Sequence, residues 1–252
     1  MLTKRFIQKH IPGFATLYSA MVITFVMTLL ASCGKDDSPI VTGTARITVT
    51  NAAPEAPSFD VYSGNEKLTS AAIPFGSTTG SLLNPYLPIE AGTVFMRISA
   101  DGTNNLVQGN IPLEPDSSYS VFAYDSLNTS GKLRVLLLTD RLTPPASGRA
   151  HIRFLQLSPD TGRIYTRLVN NSDTVIIGYR PYVTASTPAD LNLLAQYAPI
   201  DAGNYTLEVR LTDSTPIIYS TPFSLSDGKI VTIYSRGRKS NNGFSVAAIM
   251  HN

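Results

Sequence analysis

Tryptophan is absent from this sequence, and cysteine and histidine are rare. The single cysteine, Cys33, has no second thiol with which to form an intrachain disulfide. The three histidines, His10, His151 and His251, do not fall at the spacing of a zinc motif. The lack of tryptophan also removes the side chain best suited to stacking on sugar rings. The fold must therefore be stabilised by packed cores, and no cofactor or metal is expected.

Charged residues are also scarce, at 15% of the chain, and they are unevenly distributed. Residues 1–32 contain Lys4, Arg5 and Lys9 but no acidic residue, so their removal changes the net charge from +2 to −1. A nearly neutral chain lacks the basic surface that nucleic-acid binding requires. We therefore expect no nucleic-acid partner.

The first 32 residues have the layout of an export signal. Three basic residues precede the uncharged run Phe14–Leu30, which is followed by the small residues Ala31 and Ser32. Because Cys33 comes next, the segment resembles a bacterial lipoprotein signal, in which a peptidase cuts before the cysteine and the cysteine receives fatty acids such as palmitate. This resemblance implies a signal peptide over 1–32 and a membrane anchor on Cys33. An uncleaved helix is the alternative, since about 18 mostly apolar residues can span a bilayer.

The residues that follow Cys33 indicate the membrane at which the protein is anchored. Gly34 is not the aspartate that retains enterobacterial lipoproteins at the inner membrane, and Lys35–Asp37 is similar to the surface-export signal of lipoproteins in the Bacteroidetes. We therefore expect a lipid-anchored protein of the outer membrane, displayed on the cell surface, with a tether over 33–43. Because any polar tether would contain such residues, the other face of the outer membrane stays open.

The remainder of the chain contains an internal duplication. Three pairs of segments match in the same order: Ala45–Glu55 with Ala150–Asp160, Leu87–Ile98 with Ala198–Val209, and Ser118–Ala123 with Lys229–Tyr234. We predict repeat 1 over 44–141, a short, stiff, proline-containing linker over 142–148, and repeat 2 over 149–252.

Each repeat has the pattern of short β-strands. In Arg46–Asn51, Ile47 and Val49 alternate with polar residues, which is the period of a half-buried strand. Roughly seven or eight such strands in about 100 residues, separated by frequent turns, predict an immunoglobulin-like sandwich. The predicted fold is therefore all-β, with two tandem immunoglobulin-like β-sandwich domains after the signal peptide. One helical turn is predicted, at Pro188–Leu194.

Several of these segments carry a family resemblance. They are Ala53–Pro57, Phe59–Tyr62, Leu157–Asp160, Tyr205–Val209 and Leu225–Lys229. Together they resemble the DUF4397 family over residues 45 to about 249. Members are exported bacterial β-sandwich domains, often in tandem and often lipid-anchored, without an established activity. The Asp-Val-Tyr of repeat 1 is missing at Ile164–Arg167, which puts in doubt any role of that strand in a shared site.

No catalytic constellation is found. His151 begins a strand without a nucleophile elbow in the sequence, and Ser226–Lys229 fits Ser-x-x-Lys but precedes a strand, so it is interpreted as a turn. Asp101–Asn105 groups oxygen atoms yet lacks the spaced acids of a calcium loop, which favours a hairpin turn. We therefore predict that the protein is not an enzyme.

Four tyrosines are the candidate ligand platform. Tyr179, Tyr182 and Tyr197 gather in an extra segment of repeat 2, and Tyr86 holds the corresponding place in repeat 1. Tyrosines form binding surfaces, although in sandwiches they more often cap the core. A basic loop, Arg236–Lys239, is expected to be solvated, with contact to an anionic glycan or lipid headgroup as the alternative.

The sequence thus favours a non-enzymatic, lipid-anchored envelope protein that presents two β-sandwich modules for binding or adhesion. The partner would be the membrane, through Cys33, together with a glycan or an envelope protein. The alternative is a structural or accessory subunit that docks to another outer-membrane protein.

Overall fold

The computed structural model describes residues 43–81, 84–128, 130–171, 173–184 and 187–252, all of which belong to one compact unit. The predicted signal peptide, Cys33 and all but the last residue of the predicted tether lie outside these ranges. The described residues form these elements: β1 Thr44–Asn51, β2 Asp60–Ser63, β3 Glu66–Lys67, β4 Leu87–Glu90, β5 Gly92–Ser99, β6 Asn105–Leu113, β7 Ser118–Tyr124, β8 Arg134–Thr139, β9 Arg149–Gln156, β10 Ile164–Val169, β11 Thr174–Arg180, α1 Pro188–Leu194, β12 Ala198–Asp201, β13 Gly203–Arg210, β14 Ile217–Leu225, β15 Ile230–Arg236 and β16 Ser245–Met250.

The strands form four sheets of four strands each. In the first sandwich the inner sheet has the order β4-β1-β7-β8 and the outer sheet β3-β2-β5-β6; in the second sandwich the corresponding orders are β12-β9-β15-β16 and β11-β10-β13-β14. The β1–β7 and β9–β15 pairs are parallel, and the other pairs are antiparallel. The predicted all-β sandwich fold is confirmed, as is the helix at Pro188–Leu194.

Three hydrophobic cores lie between these sheets. The first core, which includes Ile47 and Val121, fills the first sandwich, and the second core, which includes Ile152, fills the second. The middle core joins the two inner sheets and contains Phe122 from one sandwich and Tyr234 from the other, with ring centroids 5.5 Å apart. The two sandwiches are therefore packed on each other, in addition to being linked by the chain.

This arrangement explains why the central strands are buried on both faces. In β7 every residue is buried, because Tyr119, Val121 and Ala123 face the first core while Phe122 and Tyr124 face the middle core. Burying a large apolar side chain contributes about 1.5–3 kcal/mol, so the middle core is a substantial part of the stability. Strands of this kind lack the alternation of apolar and polar residues that marks a half-buried strand.

The hydrogen-bond register shifts one of the sequence matches by a residue. In the parallel pairs Ser118 lies opposite Arg46, and Ile230 lies opposite His151. Since Arg46 and His151 are matched, Ser118 corresponds to Ile230 and not to Lys229 as the sequence alignment paired them.

Two arginines of the predicted basic loop contact the other sandwich, whereas Lys239 is exposed as expected. Arg238 Nε donates to Glu55 at 2.6 Å, and Arg238 also bonds Ser126. The Arg236 guanidinium donates to the carbonyl of Gly76. These contacts neutralise part of the positive charge of the loop. They also add polar contacts to the interface between the two sandwiches, beside the middle core.

Candidate functional site

A cleft of about 610 Å³ opens at one edge of the second sandwich. It is bordered by β11 and β12, which are edge strands of the two sheets, and by α1 and part of β9. Its walls carry aliphatic side chains, and two of them are unusually exposed: Ile176 at 62% and Leu193 at 67%. Exposed apolar side chains gathered on a concave surface are typical of ligand sites, and the volume lies in the usual range for them.

Local sequence features hold the walls of the cleft in place. Thr187 caps α1 in a capping box, in which its hydroxyl accepts from the Asp190 backbone and the Asp190 carboxylate accepts from Thr187. The segment after β11 is fixed to β9, because the Val183 N–H donates to the Gln156 carbonyl at 3.0 Å. Tyr124 of the first sandwich donates to the Val183 carbonyl at 3.3 Å. The cleft is therefore a preformed feature of the packed sandwiches.

The structure brings three of the four predicted platform tyrosines to this cleft. Tyr179, Tyr182 and Tyr197 line it, whereas Tyr86 does not. Tyr179 is 38% exposed, and the Arg163 guanidinium lies over its ring, 4.2 Å from the centroid. Burial raises the pKa of Tyr182 and of Tyr197, so both keep their hydroxyl proton. Binding of a ligand by these rings stays a prediction.

The wall nearest the interface between the sandwiches ends in a buried ion pair. Arg153 Nη2 and Asp140 Oδ1 are 2.6 Å apart, and their side chains are 1% and 0% exposed. Ser120 donates to the same carboxylate at 2.7 Å, and Arg153 Nε donates to Thr232 at 2.8 Å. Arg153 also lines the cleft and lies over the Tyr197 ring, 4.7 Å from the centroid. The ion pair thus connects the cleft wall to the contact between the two sandwiches.

Tyr86 and His251 complete this buried polar cluster. Tyr86 donates to Asp140 Oδ2 at 2.7 Å, and its hydroxyl lies 2.6 Å from His251 Nδ1. His251 Nε2 lies 2.7 Å from the Thr232 hydroxyl. Burial lowers the pKa of His251 to about 4, and the positive charge of Arg153 acts in the same direction against the attraction of Asp140. His251 is therefore neutral at physiological pH, and one of its ring nitrogens accepts a hydrogen bond from a hydroxyl.

The sequence prediction missed most of this cluster, although a signal was present. Asp140 and His251 each follow the last strand of a sandwich, and each N–H bonds an equivalent carbonyl, that of Ser118 or Ile230. Together with the matched Tyr86 and Tyr197, these positions fold onto one another across the interface. A comparison of the polar residues at matched positions of the two repeats would have identified these four residues.

The loop considered for calcium is a turn. The Asp101 carboxylate accepts from the N–H groups of Thr103 and Asn104 at 2.9 and 2.7 Å and from both side chains. These bonds hold the pKa of Asp101 well below its usual range. Across the described residues, no group of three or more His, Cys, Asp or Glu side chains is placed to hold a metal ion. The same residues include no helix long and apolar enough to span a membrane.

One family model matches the chain. Residues 45–167 match DUF4397, a domain of unknown function. The match begins in β1 and ends in β10, so it spans the whole first sandwich and enters the second. The resemblance inferred from the sequence is confirmed over this range.

Solved structures that are similar to the chain at low identity include the following two. One is the family CBM26 module CBMbc of Eubacterium rectale Amy13K, in complex with maltoheptaose, which is 14% identical, with 81% of this chain and 96% of that chain covered and a TM-score of 0.24. The other comes from work on alpha-glucan binding by a streptococcal virulence factor and is 11% identical, with 80% and 95% covered and a TM-score of 0.22. No curated protein sequence matches the chain.

Proposed function

We propose that this protein is a non-enzymatic, lipid-anchored binding protein of the outer membrane, which takes a saccharide in the cleft of its second sandwich. The observation that carries the proposal is the cleft itself. There Ile176 and Leu193 are exposed on a concave surface that also contains Tyr179, Tyr182 and Tyr197. A cleft whose large side chains are left uncovered in the free protein is suited to a ligand that covers them.

A saccharide fits both kinds of surface in this cleft. A sugar ring has an apolar face of C–H groups and a rim of hydroxyls. Tyrosine offers an apolar ring with a polar end, and Gln196 and Thr184 add hydrogen-bonding groups to the same walls. The apolar face and the hydroxyl rim of a sugar ring therefore match the apolar and polar groups of the cleft without a change in the fold.

A binding role is favoured over catalysis by the position of the ionisable groups. Asp140 and His251 lie 3.8 Å apart, and both side chains are 0% exposed. A general acid or base must reach a substrate proton directly or through one water. The contacts of this pair with Tyr86, Ser120 and Thr232 support a structural role.

Saccharide binding is tested with the soluble chain that starts after Cys33, by glycan array followed by NMR titration. Leu193→Ala and Tyr182→Ala should each weaken binding about tenfold, a loss of about 1.4 kcal/mol. Ile217→Ala is the matched control, because Ile217 is 42% exposed but does not line the cleft. Failure of every saccharide to bind, or equal effects of the three variants, would contradict the proposal.

The lipid anchor and the location need a separate test. Cells treated with globomycin should accumulate a larger precursor, and Cys33→Ser should release the protein from membranes. Protease shaving of intact cells should yield peptides of the two sandwiches if the protein faces outward. An unchanged precursor size with and without the drug would reject lipid processing.

A second candidate function is docking to an outer-membrane protein. It is favoured by one observation: β11 and β12, which border the cleft, are both edge strands and offer unpaired backbone groups. Co-purification of one stoichiometric partner from detergent extracts, in the absence of glycan binding, would favour this function over the first.

A further inference from the structure

Arg180, which forms no ion pair with any described residue, lines the cleft. Arg180 ends β11 opposite Ile164, a fully buried residue, so the register places both on the inner face of the sheet. Its Nη1 donates to the carbonyl of Tyr179 at 3.0 Å. In the described ranges, no carboxylate lies within ion-pair distance of Arg180. Burial lowers the pKa of this guanidinium, which means that its charge is partly withdrawn from water.

Arg153, which also lines the cleft, has a guanidinium donor without a partner among the described residues. Arg153 bonds Asp140, Ser120 and Thr232 through Nη2 and Nε, but its buried Nη1 has no hydrogen-bond partner among the described residues. The side chain is 1% exposed and contributes to the cleft wall. Buried donors are nearly always paired, so this one can pair with an acceptor that reaches it.

The acidic side chain in the cleft does not satisfy these donors. Asp190 lines the cleft, but its Oδ2 accepts from the hydroxyl of Thr187 in the cap of α1. The cleft lining therefore keeps guanidinium donors that no carboxylate of the described residues uses, on Arg180 and on Nη1 of Arg153. Guanidinium groups bind carboxylates with two parallel hydrogen bonds, a geometry that neutral hydroxyls do not reproduce.

We propose that the saccharide bound by this protein is acidic: its carboxylate pairs with Arg180, and a neighbouring oxygen accepts from Nη1 of Arg153. This inference rests on the proposed function, since it specifies the ligand of the same cleft. Tyr197 and the aliphatic walls would contact the ring that carries the carboxylate. The apolar contacts then give affinity for sugar rings, and the two guanidiniums favour acidic saccharides over neutral ones.

The test compares three probes by isothermal titration calorimetry: oligogalacturonates, malto-oligosaccharides of the same length, and tetraglutamate. The soluble chain should bind the oligogalacturonates at least about tenfold more tightly than the neutral sugars, and this preference should fall with added salt. Arg180→Gln should abolish the preference for the oligogalacturonates over the neutral sugars. Arg141→Gln is the matched control, because it removes the same charge from an exposed residue that does not line the cleft.

Each outcome separates the inference from the function on which it rests. Equal binding of acidic and neutral sugars, with no effect of Arg180→Gln, would overturn the acidic ligand and leave saccharide binding intact. Tetraglutamate binding as tightly as oligogalacturonate would overturn the inference in favour of an acidic peptide. Absence of binding by both sugars would overturn the proposed function together with this inference. The melting temperatures of both variants show whether the folded state is retained, so that unfolding is distinguished from a loss of the binding preference.

Discussion

Asp140 and Arg153 carry opposite charges at a place that water does not reach. Removing two charges from water is costly, and only short contacts and further hydrogen bonds compensate for it. Here Ser120 and Tyr86 donate to the carboxylate, and Thr232 accepts from the guanidinium. Because the partners come from both sandwiches, the cluster fixes how the two inner sheets meet.

Asp140→Asn should therefore destabilise the protein strongly. The substitution leaves the Arg153 charge buried without its counterion, which typically costs about 3–5 kcal/mol. The measurement is the free energy of unfolding in urea. Asp201→Asn is the control, because the Asp201–Arg149 pair is exposed, with side chains 73% and 41% accessible, and should cost less than about 1 kcal/mol. Similar losses of unfolding free energy in the two variants would show that the buried pair contributes no more to stability than the exposed pair.

His251 should make stability depend on pH. Its pKa in the folded state, about 4, lies below the ordinary value of 6.5, so the unfolded state takes up a proton first as the pH falls. The stabilisation is complete above pH 6.5 and is lost progressively down to about pH 4, by about 3 kcal/mol in all. Urea unfolding at pH 7 and pH 5 measures it, since carboxylates remain mostly ionised over that range. The difference should be smaller in His251→Gln; an equal difference would assign the effect to other groups.

Among the elements, the connection from β15 to β16 depends on one glycine. Gly237 has a φ of 73°, in the left-handed region, and a Cβ there would overlap the carbonyl oxygen of Gly243. Its own carbonyl accepts from Ser158 at 2.7 Å. The turn therefore positions the Arg238 side chain that contacts the first sandwich.

Gly237→Ala should be more damaging than an alanine at an open turn. Gly64 also has a positive φ, 56°, but has no atom within 4 Å of a Cβ. Gly64→Ala should cost about 1–2 kcal/mol from left-handed strain alone. Gly237→Ala should cost at least about 1 kcal/mol more, because the neighbouring backbone must move. Chemical denaturation of the two variants gives the comparison, and equal losses would contradict the overlap.

The sequence pattern indicates which face of a strand is buried only where the other face is exposed. Val94, Met96 and Ile98 alternate with less buried residues in β5, and the sequence shows that period. In contrast, β7 is buried throughout, because a second sandwich covers its other face. The pattern of one strand contains no information about which distant sheet will cover it. The sequence accordingly predicted two separate sandwiches and missed the middle core.

The candidate site was predicted only in part for the same reason. Tyr179, Tyr182 and Tyr197 are close in sequence, so their gathering in an extra segment was visible. Arg153 reaches the cleft from β9 because β9 forms part of its wall, and this requires the sheet order. Asp140 comes from the other sandwich. Contacts between residues in different sheets depend on tertiary packing, which local pattern does not specify.

At the scale of the whole molecule, the middle core makes the two sandwiches one folding unit. Phe122, Tyr124, Leu136 and Leu138 of the first sandwich are buried by residues of the second, and the ion pair and the Arg238 contacts lie on the same interface. Neither sandwich can lose its partner without exposing these side chains to water. We therefore expect a single unfolding transition across both sandwiches.

Hydrogen exchange at increasing urea tests this expectation in both outer sheets, which do not touch the interface. Peptides from β5 and from β13 should lose protection at the same urea concentration. Phe122→Ala should lower that concentration equally for both, because it removes about 3–5 kcal/mol of packing from a core that the sandwiches share. Leu168→Ala, in the core of the second sandwich alone, is the comparison. If it affected only β13, and if Phe122→Ala left β13 unchanged, the sandwiches would be independent domains joined by a linker, and the buried Asp140–Arg153 pair would not couple them.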